Sequence, residues 1–132
     1  MADPIWQRSS ALHLFHHTTP EAAEHITTTG VFHVGPANLL GPTGVHAVSD
    51  DPETVSLEWV STEYFFRLWP IEALGGVVVF LGDDEQQPFE PLTPNIWVLP
   101  ASIGPLDVAD VAVGWGYRQP YQSWWWSTGL LT

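Results

Sequence analysis

Apolar and polar positions along the first third of the chain change period twice. Over Ala11–His17 they follow the two-residue repeat of a strand. Leu12, Leu14 and His16 fall on one face, and His13, Phe15 and His17 on the other. The repeat stops at Thr18-Thr19-Pro20-Glu21. Thr18 and Glu21 have capping-box spacing, and Thr19 with Pro20 would serve equally as N-cap and first helical residue. Ala22, Ala23 and Ile26 then give a short helix its apolar stripe, and Gly30 is a natural left-handed stop.

Val31–Val34 and Val45–Ser49 read as short strands on either side of Gly35–Gly44, a loop punctuated by Pro and Gly. Asp50-Asp51-Pro52-Glu53 again combines cap, proline and first-turn acid. It predicts a helix from Pro52 to about Trp59, or on to Trp69, where Pro70 ends it. Val77–Leu81 is β-branched and apolar on both faces, which predicts a central strand. An acidic loop, Gly82–Pro94, leads to a strand at Ile96–Leu99, a turn at Pro100–Ser102 and a last strand over Val108–Val113. Helices scattered among the first strands, followed by clustered strands, predict an α+β fold with a mixed or antiparallel sheet and two or three short helices.

The length of 132 residues suits a single domain spanning 1–132. Its end is an aromatic tail, in which Trp124, Trp125 and Trp126 cannot all face one core. The tail is either a partner-binding patch or a strap packed on the sheet. Fifteen acids against three Arg and no Lys give a net charge of −12. Binding to a nucleic-acid backbone or an anionic membrane needs cations that this chain lacks. Without cysteine there is no disulfide, thiolate metal site or Cys nucleophile. The N-terminus has no signal-peptide pattern and no run is long enough to span a bilayer. The expected location is cytoplasmic, or exported or delivered without a conventional signal peptide.

Six histidines invite a metal reading, but His13 and His17 would lie about 13 Å apart along a strand, and His16 and His17 point to opposite faces. The expectation is no metal site. No G-x-S-x-G elbow is present, and a lysine-dependent phosphate loop is impossible.

Leu14-Phe15-His16-His17-Thr18-Thr19-Pro20-Glu21-Ala22-Ala23, followed by Ile26 and Gly30, resembles the first motif of the His-Tyr-type ADP-ribosyltransferases, particularly the small bacterial toxin-like branch. Gly44-Val45-His46-Ala47-Val48-Ser49, with Asp50–Glu53 after it, resembles the family's Gly-Val-Tyr strand and the helix that follows. The matches lie within residues 12–53. The resemblance implies split, strongly curved mixed or antiparallel sheets around a cleft that holds NAD as substrate. It implies that His16 hydrogen-bonds the adenine-side ribose and that Thr18 helps hold the nicotinamide ribose or backbone. His46 stands where a Tyr stacks on the nicotinamide ring, with Gly44 beside it and His17 adjoining the cofactor.

A third element of the family, usually an acid or Gln at the start of a later strand, polarises the ribose and stabilises the positive charge that develops on it. Asn95 enters the corresponding strand here. Glu90 is the nearest upstream carboxylate and Asp107 begins the next strand. The implied function is an ADP-ribosyltransferase or NAD glycohydrolase using His16, His46 and Glu90. A different class also fits: a non-enzymatic acidic protein-binding module of the immunity or antitoxin type, with a Trp-rich surface as interface. A metal-dependent hydrolase using the dispersed histidines is a third reading.

Overall fold

A computed structural model describes residues 13–35, 42–81, 89–119 and 122–127. Ala11 and Leu12 of the expected first strand, residues 36–41 of the first loop and 82–88 of the acidic loop lie outside the described residues. The elements in order are β1 (His13–Thr18), α1 (Pro20–Thr29), β2 (Val31–Val34), β3 (Gly44–Val48) and α2 (Leu57–Phe65). A short 3-10 turn (Ile71–Leu74) follows, then β4 (Gly76–Leu81), β5 (Glu90–Pro91), β6 (Ile96–Pro100), β7 (Gly104–Asp107), β8 (Ala112–Tyr117) and β9 (Trp125–Trp126). The fold is α+β, with two α-helices and, among the described residues, only antiparallel ladders.

Of the two possible caps for α1, Thr19 is the one used. Its backbone is extended and its Oγ1 accepts the Ala22 N–H at 3.1 Å. Pro20 follows at the first helical position, where a missing N–H costs nothing. Gly30 ends the helix at φ 72°, donating its N–H to the Ile26 carbonyl at 2.8 Å. Ala23 and Ile26 are the buried stripe.

Seven strands form one sheet in the order β5-β6-β3-β1-β4-β8-β9, while β2 and β7 pair separately. β4 lies between β1 and β8, the central position that its apolar sequence predicts. One face of the sheet carries Leu14, Val45, Ala47, Val78, Phe80 and Leu99, packed against Ala23 and Ile26 of α1 and Val34 of β2. The other carries Phe15, Val48, Val77 and Val79, packed against Leu57, Val60 and Tyr64 of α2, Leu74 of the 3-10 turn and Trp124.

β1 pairs with β4 along its whole length, from His13 opposite Leu81 to Thr18 opposite Gly76. Its ladder with β3 has one registered pair among the described residues, Phe15 opposite Val48. The large sheet is therefore two backbone-bonded halves, β5-β6-β3 and β1-β4-β8-β9, that meet at a seam. Side chains close that seam from both faces.

Two expected elements are displaced. The second helix begins at Leu57 rather than Pro52. Asp50–Thr54 forms a turn in which the Asp51 carboxylate accepts the Glu53 N–H and the Asp51 carbonyl accepts the Thr54 N–H; Ser56 caps the helix through the Trp59 N–H. The helix ends at Phe65, short of Trp69. The last long strand is Ala112–Tyr117, not Val108–Val113. Val108–Ala112 turns back on itself, with the Val108 carbonyl accepting from Val111 and Ala112. β7 and the two-residue strands β5 and β9 have no counterpart in the sequence reading. Trp59 of α2 is 37% exposed.

Candidate functional site

The seam between β1 and β3 brings the two motif segments together. His16 Nδ1 lies 2.7 Å from the His46 carbonyl oxygen, thirty residues further along the chain. A carbonyl can only accept, so Nδ1 carries the proton and donates. Burial pushes the His16 pKa below the usual histidine range; the bond to His46 opposes this shift, and the His46 imidazole adds to it. Near neutral pH the ring is therefore uncharged, and its Nε2 is a hydrogen-bond acceptor. Phe32 of β2 meets the ring edge-on, with centroids 5.0 Å apart and planes at 82°. Phe32 packs with the α1-side core, which places His16 on that side of the sheet.

His17 points the other way, as strand alternation requires. It is 6% exposed, and neither ring nitrogen has a hydrogen-bond partner. Desolvation lowers its pKa to about 4, with a further contribution from His16. The Leu74 backbone opposes the shift slightly but does not reach hydrogen-bond geometry.

His46 lies between Val45 and Ala47, both in the α1-side core, so its side chain is on the α2 side. Its register partner on β6 is Val98, and Val98 is also opposite Glu90 of β5. Cross-strand partners share a face, so His46 and Glu90 project from the same side with their α-carbons about 10 Å apart, two strand spacings. Half-burial lowers the His46 pKa, opposed by the Gly44 backbone. Glu90 is exposed.

The expected triad of His16, His46 and Glu90 thus divides across the sheet. His46 and Glu90 share the α2 side with His17, and His16 stands on the α1 side, tied to β3 through the seam. Of the other third-element candidates, Asn95 sits in the exposed turn before β6, where its carbonyl accepts the Ser49 N–H at 3.0 Å. Asp107 belongs to the small sheet and caps the following turn through the Ala109 N–H. Neither is aligned with His46 as Glu90 is. Thr18 ends β1 opposite Gly76. Gly44 opens β3 at φ 151°, and a β-carbon there would lie 2.2 Å from the Leu99 carbonyl oxygen; its glycine is required by the close approach of β6.

Two contributors escape the sequence reading. Phe32 could have been noticed as the aromatic just after the Gly30 stop. The 3-10 turn that covers His17 with Leu74 gives no comparable signal.

The tail is a strap on one side and a surface on the other. Trp124 is buried and donates Nε1–H to the Pro52 carbonyl at 3.0 Å; Trp126 stacks on it at 5.2 Å and donates to Glu53. Trp125 faces oppositely, is 45% exposed and clusters with Trp115 and Tyr117 of β8.

Among the described residues no group of three or more His, Cys, Asp or Glu side chains is placed to hold a metal ion. No described helix is long and apolar enough to cross a membrane. Comparison with protein-family models, curated proteins and solved structures finds no match to this chain.

Proposed function

We propose that the chain is an ADP-ribosyltransferase-like protein that binds NAD and transfers ADP-ribose to an acceptor or releases it to water. The observation that carries this reading is the hydrogen bond from His16 Nδ1 to the His46 carbonyl. It joins the two segments that resemble the family's motifs across the seam between β1 and β3. With Nδ1 committed to that bond, His16 Nε2 is left to accept a ribose hydroxyl proton. The His46 side chain lies on the opposite side of the sheet, and it is its carbonyl, not its ring, that serves this reading by holding the His16 imidazole. Nicotinamide departs with the bonding electrons, positive charge develops on the ribose, and the acceptor or water adds to the same carbon. The location that goes with this reading is cytoplasmic, or delivered without a conventional signal peptide.

Calorimetric titration with NAD tests it. Heat of binding is expected from the wild type and not from His16→Ala. No heat from either protein, or the same heat from both, would overturn the reading.

The exposed Trp125, clustered with Trp115 and Tyr117, favours a second reading as an acidic, non-enzymatic protein-binding module. Aromatic surface of this kind is enriched at interfaces. That reading predicts no nicotinamide release under any condition.

A further inference from the structure

Helix α2 and the turn after it carry more apolar side chains than the core takes up. Leu57, Val60 and Tyr64 face the core. Trp59 is on the exposed side, its ring edge-on to Tyr64 at 5.5 Å, and Phe66 is the left-handed C-cap that follows the last turn. After Phe65 the chain reverses through two consecutive non-glycine residues in the left-handed region, Phe66 at φ 53° and Arg67 at φ 60°. The reversal is held in place. The Arg67 N–H donates to the Ser61 carbonyl at 2.9 Å and the Leu68 N–H to the Phe65 carbonyl at 2.9 Å; Ser61 Oγ donates to the Trp69 carbonyl at 3.0 Å.

The result is a fixed loop that presents its large apolar side chains to water. Phe66 is 61% exposed, Leu68 65% and Trp69 52%, and Trp59 on the preceding helix is 37% exposed. Half of four side chains of roughly 200 Å² each is on the order of 400 Å², the size at which an exposed apolar patch marks an interaction site. Left-handed backbone in two bulky residues is conformationally unfavourable, and such geometry concentrates at ligand-contact segments. Here it opposes burial of the very residues that hydrophobic collapse would hide.

The surroundings say what kind of partner fits. Glu58, Glu63 and Glu72 are exposed in the same segment of chain, and Arg67 is the single cation between residues 57 and 74. We propose that the Trp59–Phe66–Leu68–Trp69 surface docks a basic, amphipathic segment of another protein. The partner's apolar residues would cover the patch, and its Lys or Arg side chains would meet Glu58, Glu63 and Glu72. The patch supplies about half of the roughly 800 Å² that each partner contributes to a stable interface, and the acidic rim supplies the polar remainder. The net charge of −12 repels a second copy of the chain and an anionic membrane. This surface is independent of His16 and of the NAD reading.

Fluorescence anisotropy with a synthetic amphipathic helix, Leu on one face and Lys on the other, tests the proposal at physiological ionic strength. The wild type is expected to bind it. The combined variant Phe66→Ser, Leu68→Ser, Trp69→Ser, which keeps every charge, should bind about tenfold or more weakly. Glu63→Gln with Glu72→Gln should weaken binding and flatten its salt dependence. The serine variant alters only exposed positions, and an unchanged or raised melting temperature checks its fold.

Equal binding by the serine variant would overturn the proposal, as would equal binding of a Leu/Glu helix. Binding to phosphatidylcholine vesicles that the serine variant loses would assign the patch to a membrane instead. Dimerisation that it loses would assign the patch to a second copy.

Discussion

Lowering the pH from about 7 to about 4 should destabilise the fold through His17, and His17→Leu should remove that component. The ordinary histidine pKa of 6.5 applies to the unfolded chain, whereas burial holds the folded ring at about 4. Above 6.5 both states are neutral and His17 contributes no pH dependence. Below 6.5 the unfolded chain takes up a proton that the folded one refuses, so stability falls until the pH reaches the folded pKa. The interval is about 2.5 units at about 1.4 kcal/mol each, giving a loss of about 3 kcal/mol. Against a typical domain stability of about 5–15 kcal/mol, that is a large share.

Leu has nearly the volume of His and no polar atoms. At neutral pH the variant should match or exceed the wild type, because two unbonded ring nitrogens leave the core. Urea unfolding of both proteins across this pH range gives the stability difference directly. His16, His46 and Asp51, whose pKa values are also shifted by burial, occur in both proteins and largely cancel. The expected result is a gap that widens by about 3 kcal/mol in favour of the variant as the pH falls. Parallel profiles would refute the reasoning. A variant destabilised at neutral pH by about 1–3 kcal/mol would show that a ring nitrogen has a hydrogen-bond partner after all.

Three further outcomes are open to the same unfolding assay. Thr19→Ala removes the oxygen that accepts the Ala22 N–H and should cost about 1 kcal/mol, while Thr18→Ala should lack this capping penalty. Gly44→Ala drives a β-carbon against the Leu99 carbonyl and should cost about 1–3 kcal/mol; no loss would mean that β6 can move aside. Phe66→Asn places a residue tolerant of left-handed backbone at φ 53° and removes an exposed ring. It should stabilise the fold by up to about 1 kcal/mol, and a clear loss would contradict the strain assigned to that turn.

What the sequence made legible was local. The start and stop of α1 are written in Thr19, Pro20 and Gly30, and each acts within four residues of its partner. The central place of β4 follows from an unbroken β-branched run. The opposite directions of His16 and His17 follow from strand geometry alone.

The misplacements have distant causes. Asp50–Glu53 looks like a helix start, but Pro52 is buried beneath Trp124, seventy-two residues away, whose indole binds the Pro52 carbonyl. The helix therefore waits for Ser56. β8 runs through Gly114 and Gly116, poor strand formers, and at Gly116 the Trp126 ring lies on the backbone. A β-carbon at Gly116 would meet that ring at 2.4 Å. Which side of the sheet carries His46 depends on the β3–β6 register and on the cores it faces. Neither is encoded near Gly44–Ser49, so the division of His16 from His46 and Glu90 could not be read in advance.

The single registered pair between β1 and β3 also bears on how the molecule would come apart. Opening at Phe15–Val48 breaks few backbone bonds, whereas β1–β4 and β3–β6 are continuous ladders. Amide exchange should then resolve two cooperative units, one holding β1, β4 and β8 and the other holding β3 and β6. Besides the Phe15–Val48 pair and the His16–His46 hydrogen bond, what couples them is packing, with Leu14 and Phe80 from one unit and Val45 and Leu99 from the other in one core cluster. A truncation such as Leu14→Ala would loosen the join between the units while leaving every strand ladder intact.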